Sequence, residues 1–154
     1  MLLSSAMNNK TIKEAAAYLQ DIAEELREAA ELDRMEMYRQ LTHFGDDLPA
    51  LRNGEETPDN FVQGCVSNVY VGHSVKDGRI EFRGQSDALL VRGYLSILIQ
   101  ALSGLLVDDF LQQSSSLVED FCNQTELQVH LTPSRANAFG NIYRLMRKKA
   151  GDPE

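Results

Sequence analysis

Val69-Tyr70-Val71-Gly72-His73-Ser74-Val75-Lys76-Asp77-Gly78-Arg79-Ile80-Glu81-Phe82 is the stretch that decides the fold. Val69, Val71, His73 and Val75 alternate with Asn68, Tyr70, Gly72 and Ser74, the two-residue period of a β-strand. Asp77-Gly78 then signals a tight hairpin, because Asp tolerates and Gly favours the positive φ of a type I′ turn. The turn sets the register: Lys76 faces Arg79, Val75 faces Ile80 and His73 faces Phe82. The apolar members of both strands therefore share one side of a small antiparallel sheet.

Helical patterns flank this hairpin. Ile12, Ala15, Ala16, Leu19, Ile22, Ala23, Leu26 and Ala30 recur at three- and four-residue steps and predict a helix over 11–30. Asp33 followed by Glu36 resembles a capping arrangement for a second helix carrying Met35, Tyr38 and Leu41, with Gly45 as its stop. Ser86 and Asp87 are placed to cap a helix running to about Ser103, with Gly104 ending it. Leu89, Leu90, Val91, Leu95, Ile97, Leu98, Ile99 and Leu102 cover most of its circumference, which places it at the centre. Short helical pieces are expected at Val107–Leu111 and Ser116–Cys122. Thr132-Pro133 opens a last helix to about Lys149, with Thr as cap and Pro where a missing N–H costs nothing.

Residues 46–60 hold two prolines, Gly54, two asparagines and five acidic residues, and no period survives, so the segment reads as a surface loop. Helices before and after a hairpin, with no repeated βαβ unit, predict an α+β domain in which helices cover a small antiparallel sheet. Residues 10–150 form that single domain, and 1–9 are read as a disordered N-terminal extension.

The function classes narrow with composition. The chain has 154 residues, 43% apolar and 25% charged, ordinary for one globular domain. A net charge of −8 and a pI near 4.9 oppose a nucleic-acid partner. The most apolar run, Ala88–Leu102, is broken by Arg92 and Gly93 and falls short of the ~20 residues a membrane span needs, so no membrane role is expected. Met1–Ala6 is too short for a secretion signal, and two widely separated cysteines match neither a secreted disulfide framework nor a paired zinc motif. A cytoplasmic protein is the expectation. His43, His73 and His130 share no metal-ligand spacing.

Gly64-Cys65 is where a polar loop delivers a reactive atom to the entrance of a strand. Spacing leaves two readings open, a reactive thiol or a small packed hydrophobe. Cys122, beside Phe121 in an apolar helical segment, reads as an inert core thiol. Arg144, Arg147, Lys148 and Lys149 crowd the end of the last helix, where cations suit its dipole.

Three blocks in order carry a family resemblance from about Tyr38 to Arg147. Asn60-Phe61-Val62-Gln63-Gly64-Cys65-Val66-Ser67-Asn68-Val69 resembles the SufE signature around its cysteine. Ser86-Asp87-Ala88-Leu89-Leu90-Val91-Arg92-Gly93 and His130-Leu131-Thr132-Pro133-Ser134-Arg135 resemble the second and third blocks. The resemblance implies a SufE/IscU-like fold, shared with U-type iron–sulfur scaffold proteins. It implies a persulfide sulfur carrier and desulfurase activator rather than a stand-alone enzyme, with Cys65 as acceptor and Arg135 as a cation able to stabilise a sulfur anion. Gln63, Gly64 and Ser67 belong to the acceptor loop. Asp87 and Arg92 are candidate partner contacts, against a simpler role for Asp87 at a helix start.

The implied partners are a cysteine desulfurase of the SufS or CsdA type and an Fe–S scaffold such as SufBCD. No cofactor of its own is implied, since PLP belongs to the desulfurase. Tyr70, where the family often has Trp, and Phe61 and Asn137-Ala138 depart from the common pattern. The segment 58–66 is expected to be mobile and to hide a persulfide from oxidants between transfers. Two other readings compete. A cysteine-nucleophile hydrolase or thiol peroxidase needs a His beside Cys65, and a cluster scaffold needs about four ligands.

Overall fold

A computed structural model describes residues 9–65, 67–127 and 131–152. Residues 1–8 of the 1–9 extension, Val66 and His130 lie outside the described residues. In chain order the elements are α1 (Ile12–Leu32), α2 (Arg34–Phe44), β1 (Val69–Lys76), β2 (Arg79–Ser86), α3 (Leu89–Leu102), α4 (Val107–Thr125) and α5 (Pro133–Lys149). Short 3-10 turns occupy Gly45–Asp47 and Pro58–Asn60.

Local chemistry sets most boundaries. Thr11 and Glu14 form a reciprocal capping box, with Glu14 N–H donating to Thr11 Oγ1 at 3.1 Å and Thr11 N–H to Glu14 Oε1 at 2.9 Å. Asp33 makes the corner between α1 and α2: its N–H donates to Ala29 O, and its carboxylate accepts from Met35 N–H at 3.0 Å. Gly45 caps α2 as expected. It takes φ −65° and lets α2 run on into a 3-10 turn. Its missing side chain serves packing, because a Cβ there would meet Arg92 Cβ at 3.2 Å and Gly93 N at 3.3 Å.

The hairpin has the predicted register, from Lys76 opposite Arg79 to Val69 opposite Ser86. Asp77 and Gly78 take φ 54° and 76°, as a type I′ turn requires. Val69, Val71, Ile80 and Phe82 are buried on the apolar face, while Val75, near the turn, is 52% exposed. Gly84 lets α3 approach β2 closely, since a Cβ there would stand 2.6 Å from Leu95 Cδ2. Gly93 does the same where α3 crosses α2, with its Cβ position 1.8 Å from Leu41 O. Tyr94 of α3 stacks on Phe139 of α5 at 3.7 Å, so the central helix is gripped from several sides.

Two expectations need correction. Helix α3 starts at Leu89 behind Ala88, which offers no side-chain cap. Ser86 closes β2, and its hydroxyl accepts from Ala88 N–H at 3.2 Å, so it stabilises the turn into the helix from further back. Helix α4 is one element of 19 residues, not two pieces. The polar run Gln112–Ser116 interrupts the apolar period, but Ser114 is buried within it and its hydroxyl bonds Tyr143 Oη at 2.6 Å. A satisfied hydroxyl thus occupies an inward position where the pattern calls for an apolar side chain. No described helix is long and apolar enough to cross a membrane.

Candidate functional site: the Cys65 tip and the groove beside it

The tip that carries Cys65 is defined by how its two ends meet. Val62 N–H donates to Val69 O at 2.8 Å, and Phe61 bridges Tyr70 in antiparallel fashion. The Phe61 and Tyr70 rings meet edge to face with centroids 5.3 Å apart. Phe61 and Tyr70 are therefore one coupled pair that closes the neck. Gln63, Gly64, Cys65 and Ser67 come together beyond that closure.

Upstream, the loop meets β2 at Pro49 and the second face of the sheet at Glu55. Gly84 N–H donates to Pro49 O at 2.9 Å. Arg83 donates to both oxygens of Glu55, at 2.9 and 2.6 Å, and to Ser74 Oγ at 2.9 Å. Gly72 makes room, because a Cβ there would stand 2.9 Å from Glu55 Oε1. Asn60 Nδ2 donates to Glu55 O at 2.8 Å, and Lys149 Nζ donates to Asn60 Oδ1 and, at 3.3 Å, to Asp59 O. This tether reaches Val62, so within the segment expected to be mobile, 58–66, the part before Gln63 is anchored.

The tether is pH-sensitive. The Arg83 hydrogen bonds hold the Glu55 carboxyl down at about 2. A carboxylate lowered below its unfolded value stabilises the fold above that value and loses the contribution as pH falls towards the folded one. Stability should therefore decline between roughly pH 4.5 and 2, more steeply than in Glu55→Gln, which has no such proton to take up. Urea midpoints measured across that range check this, and parallel curves for the two proteins would contradict it.

Cys65 is half-buried and packs against the core, and burial pushes its thiol up. Gly64 takes φ +82°, which favours glycine. A Cβ on Gly64 would lie 2.7 Å from Asn141 Nδ2 of α5, and Asn141 Oδ1 accepts from Arg144 at 2.6 Å. Arg135 is exposed in the first turn of α5, where its backbone N–H donates to the Thr132 cap at 3.4 Å. Asp87 is exposed at the β2–α3 junction. Arg92 packs its Cβ towards Gly45 and donates to Gly45 O at 3.4 Å, which ties it to the α2–α3 crossing.

A groove of about 1130 Å³ opens beside the tip, with Asn60, Phe61, Gln63, His73, Asn141 and Arg144 in its walls. The cations at the end of α5 do more than meet a helix dipole. Arg147 bonds Asp152, Leu111 O and Tyr143 Oη, and Lys149 holds the 58–60 turn. His73 is driven towards its neutral form by burial and then by Lys149 and Arg83. His43 pairs with Asp46 at 3.4 Å on the surface. Among the described residues no histidine hydrogen-bonds Cys65, as the base of a cysteine hydrolase would. Cys122 has its Sγ 3.9 Å from Tyr94 Oη, and burial raises its thiol too. Among the described residues no three or more His, Cys, Asp or Glu side chains are grouped to hold a metal ion.

Asn141 and the Glu55–Arg83 tether escaped the sequence reading. Gly64 was a visible signal of close approach, but nothing local says which distant residue approaches it.

The chain is similar to known proteins over most of its length. The profile described as the Fe-S metabolism associated SufE domain matches residues 20–150. The chain is 42% identical over 118 residues to an uncharacterized SufE-like protein of Synechocystis, covering 77% of this chain and 72% of that one. It is 36% identical over 114 residues to SufE-like protein 1, chloroplastic/mitochondrial, of Arabidopsis thaliana, covering 73% of this chain but 30% of the plant protein. A solution structure of a hypothetical protein from Thermus thermophilus superposes with a TM-score of 0.66 at 16% identity, over 86% of this chain and 93% of that one. That likeness shows a shared fold.

Proposed function

Because the chain belongs to the SufE family of Fe-S metabolism associated domains, we propose that Cys65 accepts sulfur from a PLP-dependent cysteine desulfurase and carries it towards iron–sulfur cluster assembly. The observation that carries this reading is the placement of Cys65 beyond a closed neck, half-buried against the core. A carrier needs its sulfur presented to a partner yet sheltered from oxidants, and this arrangement serves both needs.

The transfer follows thiol–disulfide exchange. The Cys65 thiolate attacks the outer sulfur of the desulfurase persulfide, a new S–S bond forms on Cys65, and the old one breaks. Its electron pair leaves with the desulfurase cysteine as a thiolate, and the proton given up by Cys65 passes to solvent or to that thiolate. Clearing its persulfide readies the desulfurase for another turnover, so acceptance and activation are one event. Partners of the SufS or CsdA type fit as donors, with a scaffold such as SufBCD as recipient.

In the resting chain burial keeps the Cys65 thiol protonated, so little thiolate is present at neutral pH. Arg135, exposed on α5, is proposed to favour the sulfur anion once the donor has docked. A guanidinium offers five donors and stays charged throughout the relevant pH range. Arg135→Ala should then slow sulfur acceptance roughly tenfold, the loss of about one charged hydrogen bond, and leave the melting temperature unchanged. Alanine release by a desulfurase, titrated with the wild-type chain and the variant, tests both claims. Absence of stimulation by the wild-type chain across SufS- and CsdA-type enzymes would overturn the function, and equal stimulation by the variant would remove Arg135 from it.

A further inference from the structure

We infer that Asn141, oriented by Arg144, is the residue that seats Gly64-Cys65 and so governs how far the acceptor thiol is sheltered. Gly64 presents its bare Cα to α5, and the space a side chain would take there is closed by Asn141 Nδ2, 2.7 Å from the Cβ position. The amide is not free to turn. Arg144 NH1 donates to Oδ1 at 2.6 Å, which engages the carbonyl end and directs the NH2 end towards Gly64. The two residues are three apart on one helix, so they share a face of α5 and act as a unit.

Asn141 is thus a positioning residue, acting on the cysteine through the glycine before it. The neck fixes the tip at Val62 and Val69, and Asn141 fixes it from the side. Glycine serves position 64 twice over: its φ of +82° disfavours a side chain, and the amide excludes one. Burial of the Cys65 thiol agrees with a tip held inward.

This inference rests on Cys65 being the acceptor, but its test reads the thiol without any desulfurase. In a Cys122→Ser background, iodoacetamide alkylation of Cys65 is followed from pH 6 to pH 10 for the parent, Asn141→Ala, Arg144→Ala and the double variant. Releasing the seat should relieve burial, move the alkylation midpoint to lower pH and speed reaction at neutral pH. A fall of half a unit raises the thiolate fraction about threefold. Arg144→Ala should shift the midpoint in the same direction by less, and the double variant should match Asn141→Ala. Alanine suits a half-exposed helix position, so melting temperatures should hold, and Arg144→Ala keeps the test open should Asn141→Ala fail to fold. Parent-like rates and midpoints in the variants would overturn the inference, as would an Arg144→Ala effect that persists in full on top of Asn141→Ala. Sulfur uptake that fails for the parent chain too would strike the carrier reading and leave the seat standing.

Discussion

Cys65→Ser is expected to reduce stimulation of a cognate desulfurase to the level seen with no carrier present. Ser nearly matches Cys in size, so the half-buried tip, its Val62–Val69 closure and the Gly64–Asn141 contact should survive. What is lost is the chemistry, because an alkoxide is not formed at neutral pH and a hydroxyl cannot hold sulfur as a persulfide. The melting curve checks that the fold is kept, and the alanine-release assay measures the loss. A serine variant that stimulates as well as the native chain would mean that Cys65 receives no sulfur.

Gly93→Ala is expected to be strongly destabilising. The added Cβ would stand 1.8 Å from Leu41 O and 2.7 Å from Leu41 C, backbone atoms of a packed helix that no rotamer change can move. Overpacking against such a wall costs about 3 kcal/mol, the upper end of the usual range, and α2 must draw away from the central helix. For a domain of this size that is a fall in melting temperature of roughly 6–12 °C. Gly140→Ala supplies the contrast. It lies in α5 with nothing within 4 Å of its Cβ position, so the substitution should be neutral or stabilising, by up to about 1 kcal/mol from helix propensity. Thermal melts that coincide for Gly93→Ala and the native chain would contradict the close crossing of α2 and α3.

Gly78 and Gly93 show what a sequence discloses and what it withholds. Gly78 was legible because the Asp77-Gly78 turn is a local event: φ, register and strand pairing follow from neighbouring residues, and all of them appear as expected. Gly93 lay inside an apolar helical run and looked like an interruption. Its reason is Leu41, far away in the chain. The continuity of α4 was hidden for the same cause, since Ser114 reads as polar and outward until Tyr143 is placed opposite it.

The site divides along the same line. Cys65 at a loop end was visible, and its family blocks pointed to the reaction. The tether was not visible, because Glu55 and Arg83 carry no motif signal and meet only through the folded sheet. Arg135 sits exposed at the head of α5, and further along the same helix Asn141, held by Arg144, approaches Gly64, a contact that no motif announces.

The carrier reading turns on where sulfur lands. The chain is incubated with a PLP-dependent cysteine desulfurase and cysteine, trapped by alkylation, digested without reductant and measured by mass spectrometry. The Cys65 peptide should carry the mass of one added sulfur, lost on treatment with dithiothreitol, and the Cys122 peptide should be unmodified. An unmodified Cys65 peptide from a reaction in which the desulfurase has turned over, or added sulfur confined to Cys122, would contradict the account.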